Sequence, residues 1–310
     1  MPTTLRAKCI GSLALKALST GNPDVAGQVV NTFSSSLYLR TGSGELVFVT
    51  NRPARSPITI NLDTTGNLER VAETTEPVRI HGKEIHVGAD TIIDLHEASI
   101  YQNQPSPPNE LKSEFAGIEK PMRTISSILR IVDVNQSVLD PHYFAHAGML
   151  DFLSDGIIPL RHSGTEERFR NAALKIVGLG SGFTPSGDDA LGGFLFAYNA
   201  FAQAIGRTPI LLERRLLEER TSWISARLLD YMQNLVADEQ LHHIIDSAIS
   251  GDEDAIVVAL ETLLPRGHTS GIDIAVGAVL ALSLVRDIAF GRKETQIIAH
   301  TLGLGRGASP

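Results

Sequence analysis

Gly178-Leu179-Gly180-Ser181-Gly182-Phe183-Thr184-Pro185-Ser186-Gly187-Asp188-Asp189 lies between the stretch Leu174 to Val177 and the apolar run Ala190 to Ala197. Glycine at four of these twelve positions allows positive φ and a close approach of backbone to a ligand. Ser186 and Asp189, three apart, have the spacing of a capping box, which predicts a helix that starts here and is buried beyond its first turn. Backbone N–H groups at such a start attract an anion. Two carboxylates at the same place favour a cation, an amine or an amide instead.

The motif returns later in the chain. Thr184 to Asp189 aligns without gaps on His268 to Asp273, and onward through Gly193 with Gly277 and Ala197 with Ala281. Both copies read Ser-Gly-x-Asp-x-x-x-Gly-x-x-x-Ala. On a helix the Asp, Gly and Ala of each copy share one face, and small residues there let another helix come close. The repeat therefore predicts two similar helices that pack together and bring Ser186, Asp189, Ser270 and Asp273 to one site. Two capped core helices whose glycines serve packing alone would leave the same pattern. The candidate catalytic residues are Asp188, Asp189, His268 and Asp273. The candidate substrate- or anion-binding residues are Gly180, Ser181, Gly182, Thr184, Ser186, Gly187, Ser222, Arg227, Thr269, Ser270 and Gly271.

Each assignment has a chemical reason. Asp188 and Asp189 are adjacent and cannot face the same way on a helix, so one could bind a cation such as Mg²⁺ while the other caps. Thr221, Ser222 and Ser225 lie close to Arg227, whose guanidinium fork suits a phosphate or carboxylate; a polar helix start with a solvated arginine reads equally well. An imidazole at a helix start has its pKa lowered, which would make His268 a neutral base or donor. His242 and His243 fit an amphipathic helix. Asn31, polar in a strand-like stretch, is either a further site residue or a turn residue. No lysine follows the last glycine as a P-loop requires, Gly180-Ser181-Gly182 is not a nucleophile elbow, and no zinc-ligand spacing occurs.

Outward from the motif, 310 residues suffice for one large or two ordinary domains, and 43% hydrophobic with 20% charged residues is a globular composition with a sizeable core. A net charge of -8 with no dense basic cluster argues against nucleic acid as a partner. Cys9 is the single cysteine, so no intramolecular disulfide or thiolate cage forms and a reduced, cytoplasmic setting fits. Lys16 interrupts the short apolar N-terminal run, unlike a signal-peptide core. The run Ile272 to Val285 is short for a bilayer and carries Asp273, so a buried helix is expected there and no membrane span.

Alternating apolar residues predict strands at 35–40, 45–50, 58–62, 78–81, 84–87 and 91–95, with Thr41 to Gly44 as a hairpin loop. Three prolines between Pro105 and Pro108 mark a linker at 102–110. Helical spacing then dominates at 125–132, 148–153, 165–177, 211–229, 241–249 and 254–264. Strands followed by helices predict an α+β protein: a β-rich domain over 1–101, the linker, and a helical domain over 111–310. No strand–helix alternation supports a Rossmann reading of the glycines.

The run Gly178 to Asp189, with Leu191 and Gly193, closely resembles the Gly-Leu-Gly-Pro-Gly-Leu-Thr-Pro-Ser-Gly-Asp-Asp signature of a bacterial family that includes the third subunit of oxamate carbamoyltransferase. Ser181 stands where the signature has proline and Phe183 where it has leucine. Thr221 to Leu229 and Gly267 to Gly271 look like later motifs of the same family, and the similarity is expected to span about Asn31 to Leu284, strongest in the helical half. The resemblance implies a cytoplasmic subunit of nitrogen or purine catabolism, in allantoin breakdown, working with two other subunit types. It implies carbamoyl transfer between carbamoyl phosphate and oxamate or a related amide. A non-catalytic subunit that binds or scaffolds, and a Mg²⁺-dependent phosphoryl-transfer enzyme, are the alternatives the residues themselves leave.

Overall fold

The computed structural model describes residues 2–20, 26–102 and 118–304. The chain is α+β, with strands in its N-terminal part and helices in its C-terminal part. It forms two compact units, residues 1–104 and 105–310. From residue 103 onward, the linker expected at 102–110 lies outside the described residues.

In the first unit, β1 (Thr3–Gly11), β2 (Gly27–Phe33), β3 (Ser36–Thr41), β4 (Leu46–Thr50), β5 (Thr59–Leu62), β6 (Pro77–His81), β7 (Glu84–Val87) and β8 (Thr91–Asp94) form one sheet. Its order, β5-β4-β3-β2-β6-β7-β8-β1, is closed by β1 pairing back on β5, Ile10 opposite Ile60, to make an eight-stranded barrel. The alternation seen in the sequence fills the inside: Leu37, Leu39, Val47, Val49, Ile60, Ile85 and Ile93 are buried. A short β9 (Ser99–Tyr101) adds to the far end of β1, and α1 (Ser12–Ser19) contributes Ala14, Ala17 and Leu18 to the same core. Three of these elements, β1, α1 and β9, carry no expectation in the sequence reading. The turn from β1 into α1 needs glycine, because a Cβ on Gly11 would lie 2.2 Å from the Pro57 carbonyl oxygen. Asn31 sits in β2 and accepts from the Thr32 N–H (2.8 Å).

The second unit is built around two helices, α5 (Ser186–Phe201) and α10 (Ser270–Phe290), which make the most extensive helix–helix contact among the described residues. Every residue of α5 is buried, as is most of α10, so neither shows a polar stripe. Around them stand α2 (Glu119–Leu129), α3 (Phe144–Phe152), α4 (Glu166–Ile176), α6 (Arg214–Glu218), α7 (Trp223–Gln233), α8 (Glu239–Ser250), α9 (Glu253–Leu263) and α11 (Glu294–Thr301). The helix expected over 211–229 is two, α6 and α7, broken at Ser222, which caps α7 by accepting from the Ser225 N–H (3.1 Å).

The repeat in sequence is a repeat in space. A Cβ on Gly193 would stand 2.1 Å from the Ile274 carbonyl oxygen, and one on Gly277 would stand 1.9 Å from that of Ala190. Ala190 and Ile274 each follow the aspartate of their copy, so the contact is reciprocal and the two helices relate by a local two-fold. The symmetry extends backward: Gly187 rests on the Ile176 carbonyl that ends α4, and Gly271 on the Leu263 carbonyl that ends α9. Backbone-to-backbone contact of this kind leaves no room for a methyl group.

Gly277→Ala is expected to destabilise the chain by about 1–3 kcal/mol, because carbonyl and amide groups of α5 must move to admit it. Gly192→Ala meets only the flexible Met232 side chain, and alanine's helix preference of about 1 kcal/mol offsets the contact. Urea unfolding of the two variants should separate them clearly.

Candidate functional site

The crossing of α5 and α10 brings both helix starts together. Thr184 Oγ1 donates to Asp189 Oδ2 (2.9 Å) and lies 3.0 Å from Ser270 Oγ. Ser186 Oγ is 3.5 Å from Thr269 Oγ1 and donates to the Gln136 carbonyl (3.0 Å). Asp273 Oδ1 accepts from Ser137 Oγ (2.7 Å) and the Val138 N–H (2.9 Å). Thr184, Ser186, Asp189, Thr269, Ser270 and Asp273 thus form one polar cluster. Asp273 is 0% exposed and Asp189 8%, with Thr184, Thr269 and Ser270 half-buried above them.

Burial sets the electrostatics. It pushes the Asp189 carboxyl up to about 7, against the hydroxyl of Ser270, with the charge of Asp273 adding to the rise and Thr184 and Arg266 opposing it. It pushes Asp273 up to about 6, against Ser137, the Val138 N–H and the nearby hydroxyls of Thr269 and Ser186. Each charge raises the cost of the other, so near neutral pH the pair titrates as a unit. Asp273 Oδ2 is buried and accepts no hydrogen bond among the described residues. Ser186 has one proton, and the Gln136 carbonyl takes it.

The expected capping box does not form. Pro185 precedes α5 and Thr269 precedes α10, with no side-chain cap at either start, because the Ser186 hydroxyl is drawn to a tertiary partner. Nor are the motif's N–H groups simply offered outward: Gly187 N–H donates to Leu179 O (2.8 Å) and Gly271 N–H to Arg266 O (3.1 Å). The glycines approach the protein's own backbone. Gly178 (φ +78) and Gly180 (φ +128) hold left-handed conformations, and Cβ atoms there would strike Arg220 O (2.1 Å) and Ser186 N (2.6 Å). Gly182 is exposed, and so is Ser181, which is tied through its N–H and Oγ to the Tyr143 hydroxyl.

Asp188 faces away from Asp189. It accepts from the Gly178 N–H (2.7 Å), Thr221 Oγ1 (2.5 Å) and Ser225 Oγ (2.6 Å), joining the glycine loop to the start of α7. The hydroxyls near Arg227 therefore serve Asp188 and the α7 cap. Arg227 itself is buried, 3.4 Å from Asp230 and over the Tyr231 ring. His268 is exposed in the turn before α10. His242 is buried edge-on to Phe196, and burial lowers its pKa to about 4. Ser137, Val138 and Gln136, missing from the sequence reading, come from the segment between α2 and α3. Its one local signal is the polar run Asn135-Gln136-Ser137, and the Gln136 φ of +63 appears only in three dimensions.

Two measurements follow. In the folded chain Asp189 and Asp273 bind protons more tightly than at the ordinary 3.8, so the folded state holds more protons and stability falls as pH rises from about 4 to about 7. Asp189→Asn should flatten that decline and raise the unfolding midpoint at pH 8, with a gain on the order of a few kcal/mol. Asp188→Ala should do the opposite: it strands the loop N–H and two hydroxyls, lowering stability by roughly 2–4 kcal/mol by thermal or urea unfolding.

No helix among the described residues is long and apolar enough to cross a membrane. Comparison with curated proteins and with solved structures gave no significant match. Residues 6–100 match the N-terminal domain of the AllH family, so the likeness reaches further toward the N-terminus than the expected start at Asn31. Residues 176–282, from the end of α4 through most of α10, match the family described as oxamate carbamoyltransferase subunit AllH. With both of its units matched and the two repeated helix starts inside the second match, the chain belongs to the AllH family.

Proposed function

We propose that this chain is a working subunit of an oxamate carbamoyltransferase, and that the hydroxyl-ringed carboxyl pair at the joined helix starts is where it meets the reactants. The observation that carries the reading is the convergence of Asp189 and Asp273, both buried, both shifted toward neutrality and held by Thr184, Ser137 and the Val138 N–H. Membership of the AllH family supplies the reaction class and the expectation of other subunit types as partners. The setting would be cytoplasmic breakdown of allantoin and other purine products.

Transfer of a carbamoyl group to an amide nitrogen forms an N–C bond, breaks the C–O bond to phosphate and releases one proton from nitrogen. Asp189, near 7, suits a group that takes that proton at neutral pH and returns it in reverse. The hydroxyls of Thr184, Thr269 and Ser270 would orient the amide and polarise its carbonyl. No covalent intermediate on the protein is required. A reading through Mg²⁺ held by both Asp188 and Asp189 finds no support: three donors saturate Asp188 on the far side of α5.

One observation favours a scaffolding role instead: loop N–H groups and glycine contacts serve the chain's own backbone. The two separate in the assembled enzyme, assayed for carbamoyl phosphate consumption with oxamate. Asp189→Ala is expected to cut the rate about 100-fold or more while leaving the fold and assembly in place. Full activity in that variant would assign the chemistry to another subunit.

A further inference from the structure

Beyond the proposed reaction, we infer that a cleft beside the glycine loop is a second ligand site, one that takes an organic ammonium with an apolar body and passes the effect of binding to the loop. It shares no residue with the carboxyl pair, so it stands or falls apart from the functional reading.

The cleft lies among α3, the π-turn that follows it (Leu153–Ile157), α4 and the glycine loop, and holds about 240 Å³. Most of its lining is apolar: Phe152 and Ala172 are buried, Leu179 is half-buried, and the Phe144 ring is 58% exposed. A large apolar side chain left that open beside a cavity is surface for a guest. A π-turn at the end of a helix is a frequent companion of functional sites.

Charge decides the class of guest. The titratable groups in the lining are Asp151, Asp155 and Lys175. Asp155 is ion-paired with Arg168 (3.6 Å) and with Lys175 (4.0 Å). Asp151, exposed on α3, has a carboxylate with no ion pair or hydrogen bond among the described residues. An anion would therefore meet a free carboxylate, while the one cation in the lining is already engaged. An ammonium finds that carboxylate together with two phenyl rings, whose faces attract a cation. An alkyl or aryl body on the same molecule covers the apolar lining.

Two links join the cleft to the loop. A Cβ on Gly148 would lie 2.1 Å from Leu179 Cδ2, so α3 carries glycine where the loop's leucine seats. The Leu179 carbonyl in turn accepts from the Gly187 N–H (2.8 Å) at the start of α5. Phe144 follows Tyr143, and their rings are 4.6 Å apart. The Tyr143 hydroxyl accepts from the Ser181 N–H and donates to Ser181 Oγ (2.9 Å). A guest that presses on Phe144 and Leu179 thus acts on two anchors of the loop that leads to Asp188 and Asp189.

The test is binding of phenethylammonium to the full chain at pH 7 and low salt, read by calorimetry. 2-Phenylethanol and 3-phenylpropionate are run beside it; they keep the ring and replace the cation with a hydroxyl or a carboxylate. Phenethylammonium is expected to bind about fivefold more tightly than either. Asp151→Asn should bring that ratio to about one, and Phe144→Ala should weaken all three probes. Both side chains are exposed, so neither change removes core packing. Amide hydrogen exchange across residues 178–187 should slow by about threefold with the cleft filled. Absence of binding, equal or tighter binding of the alcohol or the carboxylate, a preference that survives Asp151→Asn, or loop exchange unchanged by phenethylammonium overturns the inference. None of these readouts uses carbamoyl transfer, so a failure of the functional reading leaves them untouched.

Discussion

Carbonyl oxygens packed where two Cβ atoms would otherwise be hold the helical unit in its shape. With Gly193 against Ile274 and Gly277 against Ala190, α5 and α10 touch through their backbones. Side chains a turn away, at Asp189 and Asp273, are thereby brought within electrostatic reach of each other. Had either glycine carried a methyl group, the helices would stand further apart and their starts would open to water. The contact thus fixes both the packing and the dielectric in which the carboxyl groups titrate. It also explains why α5 is apolar all round: a helix touched by backbone on one face and by α4 and α7 on others has no wet side.

Adjacent aspartates in such a place divide their work by geometry. Successive residues on a helix point about 100° apart, so Asp188 and Asp189 look into different surroundings. Asp188 is met by a loop amide and two hydroxyls, and it organises structure. Asp189 is met only by the hydroxyls of Ser270 and Thr184, and stays close to its ionisation point. The same contrast recurs within Asp273, one oxygen of which is tied down and the other left open. Burial alone would make such groups a burden; local donors decide which become structural.

The sequence made the two helix starts legible because their spacing repeats without a gap and a strict Gly-x-x-x-Ala interval has few uses other than close packing. Alternation in the first hundred residues likewise revealed strands. Closure of the barrel was hidden, since β1 pairs with β5, β8 and β9, and alternation tells a strand's faces but not its neighbours. The capping box misled for a related reason: Ser186 has the right interval to Asp189, yet a carbonyl from Gln136, fifty positions earlier, competes for its hydroxyl and wins. Ser137 was invisible at the site, because its partner Asp273 lies 136 residues away. Local chemistry could name the donors and acceptors; only the chain's path could pair them.

The duplicated helix pair is symmetric in its backbone and not in its side chains. Thr184 of the first copy corresponds to His268 of the second, one turned into the cluster and the other out to solvent. Asp188 corresponds to Ile272, and only the first copy carries the extended glycine loop. Matching backbones thus carry unlike side chains, and the two halves of the polar cluster differ in charge and in hydrogen-bonding capacity.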